Sequence, residues 1–424
     1  MLNRKSVSEQ VVFRGFSLVL NLLVSILVPR ILLPETNGVY ALLVANMSIA
    51  VLVAGFSLES AIVYYISNRQ FSFHGMIKAL RVIFALQLVA VAVVLGVNSL
   101  LHNVVAFFPS QHTGIATMWA ALFLLALLGN NLLMSVLNGL GRFRQVNLLN
   151  LCQALVQVLM LVTIMVTHRF SEHKIYIVYL LILSNFVGPL LALFLVRGES
   201  RKGEENPAPP ARSRAIIKVL AQYAAIAFVA NLVQQLAYRV DFWILDYYSG
   251  KTELGIYSVG TKLGQLVWVF PAALATIILP AVGRDGFRSV TGKIDKLLWA
   301  TPLALLPVGG VMVVVTKTLL VQFLGPDYND VWQPLALMLP GYVFFVWSVL
   351  LAPVFSGQKK VVWNLGISLW CLAVVLVADF VLIPRYGMNG AAIATTIAYT
   401  ASGIASLLVY ARLKKMKHES APQQ

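Results

Sequence analysis

The sequence predicts an all-α integral membrane protein of about twelve transmembrane helices in two six-helix lobes. Three observations carry that prediction: composition, a regular recurrence of long apolar segments, and a single hydrophilic stretch near the middle of the chain. Of the 424 residues, 59% are hydrophobic and 11% charged, with a mean hydropathy of +0.82. An ordinary soluble domain is about 45–50% apolar and about 25% charged, so a soluble enzyme is excluded.

A bilayer core about 30 Å thick needs roughly 20 apolar residues per helix. Segments of that size recur at 11–33, 39–66, 79–101, 115–138, 146–167 and 175–196, and again at 216–247, 255–282, 297–320, 333–355, 361–383 and 390–411. They are continuous, without the alternation of the roughly ten-residue strands of a membrane barrel. The first has a basic start but runs into VPRILLPE with no small-residue cleavage site, so it reads as a retained helix. The hydrophilic stretch RGESRKGEENPAPPARSR, residues 197–214, has linker composition. The expected organisation is therefore a first lobe over 1–196, a cytoplasmic linker over 197–215, a second lobe over 216–412 and a cytoplasmic tail over 413–424. Cys152 and Cys371 fall inside spans and read as small core residues, not as a disulfide.

The net charge of +16 reflects topology. With the N-terminus inside, 23 of the 32 Lys and Arg fall in inside segments, six in outside loops and three, Arg14, Arg239 and Lys262, within spans. Basic residues accumulate in cytoplasmic loops, so both termini are expected in the cytoplasm, and no nucleic-acid partner is expected. The halves also echo one another. PETNGVYALL at 34–43 matches KTELGIYSVG at 251–260, placing Gly38 and Tyr40 on Gly255 and Tyr257 at an offset of 217; the same offset takes Arg142 to Lys359 and Asn147 to Asn364. Six spans per half make these repeats parallel, and transporters built this way place substrate between halves.

No catalytic constellation stands out. The six histidines, 74, 102, 112, 168, 173 and 418, lie in loops or the tail without metal-ligand spacing, so neither metal nor cofactor is expected. Gly250-Lys251-Thr252 imitates the end of a phosphate-binding loop, but Leu245 stands where that motif needs glycine. The longest outside loop, around 102–114, has no Asp, Glu, Lys or Arg to serve a membrane-embedded polymerase or ligase. A transporter is expected, not an enzyme.

VPRILLPETNGVYALL (28–43), NGLGRFRQVNLLNL (138–151), RVDFWILDYYSGKTELGIYSVGTKL (239–263) and LIPRYGMNGAAIATTIAY (382–399) together resemble the polysaccharide-biosynthesis, or O-antigen (Wzx-type), flippase family of the multidrug/oligosaccharidyl-lipid/polysaccharide exporter superfamily. The resemblance spans nearly the whole chain. It implies a MATE-like fold with two six-helix lobes around a central cavity. It also implies a substrate, an oligosaccharide on an undecaprenyl-pyrophosphate-type carrier moved to the outer leaflet of the cytoplasmic (inner) membrane, with polysaccharide polymerase and export machinery as further partners. Two alternatives share the superfamily. A proton- or sodium-coupled drug antiporter would need acidic groups to hold a cation, yet the first helix has an Arg and no carboxylate in its membrane core; lipid II flippases typically have two additional helices.

Charges within spans are costly and face a cavity or a partner. Arg239 and Asp241, in the outer half of the seventh span, are two apart and cannot pair well within one helix. Lys262 lies in the outer half of the eighth span, while Arg14 and Glu59 lie toward the cytoplasmic ends of the first two. Arg can hold phosphate with a planar fork. Arg14, Arg239 and Lys262 are therefore the candidate pyrophosphate ligands, with Glu59 and Asp241 as coupling groups or charge partners. Structural alternatives stand beside this reading. Arg14 can snorkel to the interface; Arg239, Asp241 and Lys262 can form inter-helix salt bridges; Asp246 and Asp379, near outer ends, are expected at the interface, as are Tyr247, Tyr248 and Trp332.

Overall fold

The computed structural model describes residues 4–100, 113–167, 170, 173–200, 213–358 and 360–419. Most of the hydrophilic linker, the long outside loop at 102–112, Lys359 and the end of the tail lie outside the described residues. In chain order the helices are α1 (Arg4–Gly55), α2 (Glu59–Ser67), α3 (Phe73–Leu100), α4 (Thr113–Gly139), α5 (Phe143–Thr167), α6 (Ile175–Ser184), α7 (Val187–Ser200) and α8 (Ser213–Ala237). They continue with α9 (Val240–Gln265), α10 (Val269–Asp285), α11 (Phe287–Val315), α12 (Val321–Leu324), α13 (Trp332–Gly357) and α14 (Val361–Glu419). The described residues contain no strand.

Nine helical stretches among the described residues are long and apolar enough to cross a membrane. Three of them contain a kink at a residue with positive φ: Leu33 (φ 61), Gly250 (φ 81) and Gly387 (φ 54). At the two glycines the chain doubles back. Phe242 and Tyr257 bring their rings to 5.7 Å, and Cys371 Sγ lies 3.8 Å from the Ala398 carbonyl, although a straight helix would separate the latter pair by about 40 Å. The stretches turning at Gly250 and Gly387 therefore each hold two spans, and the non-helical Leu33 interrupts the first stretch at the boundary read between the first two spans.

Three spans expected to be continuous are broken. The second is interrupted at Phe56 and Ser57, whose φ values are 53° and 50°. The sixth breaks at Asn185–Phe186 between α6 and α7, and the seventh at Tyr238–Arg239 between α8 and α9. Broken helices at membrane depth expose backbone polar groups, which are tolerated where protein or water satisfies them.

The chain forms two compact units. One comprises Met1–Leu32 and Val39–Leu232, the other Leu33–Gly38 and Val233–Gln424. In the first, Leu43, Leu124, Leu128 and Leu161 centre one apolar core, and Ile62, Leu137, Ile216 and Leu220 centre another. In the second, Val343, Leu350, Val354 and Phe355 of α13 form the middle of the core. In lipid such contacts gain little from water exclusion, so tight packing and internal hydrogen bonds must hold helices together. One cluster of this kind joins Asp295 to Lys414 Nζ at 2.7 Å and to the Tyr410 hydroxyl at 2.9 Å. At span ends, Tyr247 is 82% exposed as an interfacial anchor would be. Trp332 carries Lys317 Nζ over its ring at 4.2 Å.

The sequence echo reappears as a contact inside the second unit. A Cβ on Gly38 would fall 1.9 Å from the Lys251 carbonyl oxygen, and one on Gly255 would fall 1.9 Å from the Pro34 carbonyl oxygen. Pro34 and Lys251 are themselves 217 apart, so the repeat elements exchange equivalent contacts, each through its glycine. Asn37, fully buried, fastens the crossing by donating its amide to the Gly255 carbonyl at 2.9 Å and to Ser258 Oγ at 3.1 Å. Because the obstructing atoms are backbone, Gly255→Leu is expected to cost about 3 kcal/mol or more and to lower thermal unfolding of the purified protein sharply. Gly292→Leu, at a glycine with open space around it, is the matched control expected to leave unfolding near wild type.

Candidate functional site

The break at Tyr238–Arg239 organises the polar centre of the second unit. Arg239 has a non-helical backbone (φ −133, ψ −10) and its carbonyl accepts the Phe242 amide at 3.1 Å, starting α9. The ring of Tyr238 packs against Trp268, Phe345 and Tyr399 with centroids 5.8, 6.1 and 6.0 Å away. Trp268 sits in a single 3-10 turn, Leu266–Trp268, between α9 and α10, and its indole donates to the Tyr342 carbonyl at 3.0 Å. This aromatic block packs around the helix break.

The adjoining charges are unequally satisfied. The Arg239 guanidinium lies 5.1 Å from the Phe242 ring centroid, a cation–π contact. Its Nε is buried with no hydrogen-bond partner among the described residues. Asp241, 4% exposed, takes bonds from the Phe242 amide at 2.9 Å and from the Tyr257 hydroxyl. That hydroxyl also lies 3.1 Å from Thr395 Oγ1. Asp241 is thus held by neutral donors and, although in the field of Arg239, makes no salt bridge with it among the described residues. Lys262, half-buried in the second half of α9, lies within the electrostatic reach of Arg239.

Asp379, expected at the interface, is enclosed by protein: it is 0% exposed, and neither carboxylate oxygen has a hydrogen-bond partner among the described residues. The eleventh span runs past Pro384 to the turn at Gly387, which places Asp379 about two turns inside the helix. There it acts electrostatically on Asp241 from across the α9–α14 contact. An unpartnered carboxylate in such a place is costly. Asp246, also expected at the interface, is partly buried and forms an ion pair with Lys251 across the turn at Gly250.

In the first unit, Arg14 belongs to α1, and its side chain lies outside the described residues. Glu59 opens α2, where the helix N-terminus favours a negative charge, and accepts the Asn131 amide at 2.9 Å. Further amides line the same unit. Gln153 donates to Asn185 Oδ1 at 3.1 Å, Gln157 donates to Ser184 Oγ at 3.1 Å, and Asn130 Oδ1 is buried without a partner. Within the second unit, then, Lys262 and Asp241 lie in the field of Arg239, joined by Thr395, which sequence reasoning did not single out, and by Tyr257 and Asp379, which it had read only as a repeat position and an interfacial residue. The available signal was simple: polar side chains inside apolar runs.

Comparison with known proteins narrows what such a site serves. The profile of the family described as polysaccharide biosynthesis protein matches residues 27–333. No curated protein matches the chain. Among solved structures, an inward-facing multidrug resistance MATE family transporter of the MOP superfamily superposes with a TM-score of 0.72 at 15% identity, covering 96% of each chain. The lipid II flippase MurJ in an inward closed conformation gives 0.73 at 15% identity, covering 95% of this chain and 87% of that one. A MOP superfamily transporter from Pyrococcus furiosus gives 0.64 at 15% identity, with 97% and 95% covered. At these identities the structural likeness establishes an all-helical fold shared with these proteins, while the profile match over most of the chain establishes membership: this multi-pass membrane protein belongs to the polysaccharide biosynthesis protein family.

Proposed function

We propose that this chain is a flippase that moves a polyprenyl-pyrophosphate-linked oligosaccharide repeat unit from the inner to the outer leaflet of the cytoplasmic membrane, by alternating access, for surface polysaccharide synthesis. The observation that carries this reading is the half-buried Arg239 guanidinium at a helix break, without a salt bridge among the described residues and with Lys262 in its field. A cation at bilayer depth needs water, a carboxylate or an anionic ligand, and Asp241 is already satisfied by Tyr257 and a backbone amide. A pyrophosphate-linked head is the ligand chemistry that matches. Arg239, Lys262 and, from the first unit, Arg14 supply positive potential at successive stages of transport, while the polyprenyl tail stays in lipid.

A drug antiporter needs carboxylates that a bulky organic cation can reach. Asp241 and Asp379 are enclosed, at 4% and 0% exposure, which suits a proton or a small monovalent cation instead. We therefore assign this pair, with Tyr257 and Thr395, to coupling. Lipid II flippases typically have two helices beyond the twelve spans read from the sequence, and the chain covers 87% of MurJ against 96% of the MATE transporter, which weighs against the lipid II alternative. Removing the gene is expected to strand lipid-linked repeat units on the inner leaflet and reduce surface polysaccharide. Normal polymer export combined with drug sensitivity would favour the antiporter.

The partition of basic residues supports cytoplasmic termini. Single cysteines in 197–214 and 284–296 are expected to react with impermeant reagents only from the cytoplasm. Labelling of 250–254 from inside alone would reverse the orientation.

A further inference from the structure

A second feature, apart from the polar centre, lies wholly within the first unit. Helices α3 and α7 both pack on α4 but scarcely touch each other, leaving a groove of about 820 Å³ whose floor is α4. Apart from Gly129 and two arginines, every lining side chain is apolar. The stripe on α3 runs Ile77, Arg81, Phe84, Leu88, and that on α7 runs Leu190, Leu193, Arg197 with Phe186 just before the helix, each at helical spacing. Ala126, Gly129 and Pro189 keep the groove deep by their small size. Leu88 and Leu190 are 41% and 53% exposed, so it opens sideways.

Its charge is one-sided. Arg81 and Arg197 line the groove and are exposed, with no ion pair among the described residues. The carboxylate nearest in sequence, Glu199, is already bound to Arg142 at 2.9 Å. On the floor, Leu125 to Val136 spans about 16 Å at the helical rise, about half of a 30 Å hydrocarbon core. One acyl chain of one leaflet has that reach, whereas a polyprenyl carrier tail is far longer.

We propose that this groove binds an anionic glycerophospholipid, its acyl chain along α4 between α3 and α7 and its phosphate on Arg81 and Arg197. Basic pockets between membrane helices hold lipid phosphate in this way, and Arg favours it through paired donors. The site is separate from the transport route proposed above and does not depend on it, so failure of one leaves the other standing.

Native mass spectrometry of the full-length protein in detergent tests the assignment, with phosphatidylglycerol, phosphatidylcholine and undecaprenyl phosphate titrated separately. Wild type is expected to retain one phosphatidylglycerol in preference to the other two. Arg81→Gln/Arg197→Gln is expected to weaken that retention about 30-fold, and Arg81→Lys/Arg197→Lys to restore most of it, which also shows that the variant folds. Gly129→Leu, whose side chain would enter the groove beside Pro189, is expected to lower retention of both phospholipids. Equal retention of phosphatidylglycerol and phosphatidylcholine, no effect of the Gln pair, or preference for undecaprenyl phosphate would each overturn the proposal.

Discussion

Arg239→Ala is expected to lower transport of the lipid-linked oligosaccharide by about 100-fold or more while leaving the amount of protein in the membrane near normal. The magnitude follows from losing two charge-assisted hydrogen bonds to phosphate, each worth roughly 1.5–3 kcal/mol. Membrane levels hold because Arg239 makes no salt bridge among the described residues, and Asp241 keeps its bonds to Tyr257 and the Phe242 amide without it. Arg239→Lys separates two contributions: partial transport means that field suffices, and loss comparable to Ala means that the planar fork is needed. The measurement is surface polysaccharide in a deletion strain complemented by each variant, with immunoblotting for protein level. A variant that disappears from the membrane and returns when Asp241 is also removed would make Arg239 a structural ion-pair partner instead.

Asp379→Asn is expected to separate stability from function in opposite directions. Its carboxylate is fully buried with both oxygens unpartnered among the described residues, so replacing it with a neutral amide of the same shape removes a desolvation cost and should raise stability to unfolding by about 1 kcal/mol or more. Transport driven by an ion gradient should nevertheless fall to the level of a dissipated gradient. Asp241→Asn should also uncouple transport but should not stabilise, since the hydrogen bond donated by Tyr257 to a charged acceptor is lost. Thermal unfolding in detergent and gradient-dependent uptake in vesicles give the two readouts. A destabilised Asp379→Asn protein with intact gradient dependence would remove the pair from coupling.

Hydropathy and charge made the spans legible because both are local properties of about 20 residues, and the offset of 217 made the repeat legible because Gly38 and Gly255 meet the same backbone obstruction. The breaks were less accessible. Neither Phe56 nor Ser57 is a residue type that favours positive φ, and Tyr238, at the other interruption, packs against Trp268, Phe345 and Tyr399, which are distant in sequence. Asp379 illustrates the same limit: its expected place came from a span end set at 383, while the helix continues to Gly387 and packs on α9. Arg239, Asp241 and Lys262 could be singled out as charges in apolar runs. Which of them was already satisfied could not, because Tyr257 and Thr395 carry no charge to draw attention.

The central claim is that this chain translocates a lipid-linked oligosaccharide, and reconstitution tests it most directly. Purified protein in sealed vesicles, with the polyprenyl-pyrophosphate oligosaccharide loaded in the inner leaflet, should make the sugar reactive to an impermeant oxidant added outside. The account predicts a rate well above protein-free vesicles that falls to background in Arg239→Ala. Wild-type vesicles that expose no more sugar than protein-free ones, while accumulating an organic cation against a gradient, would contradict it.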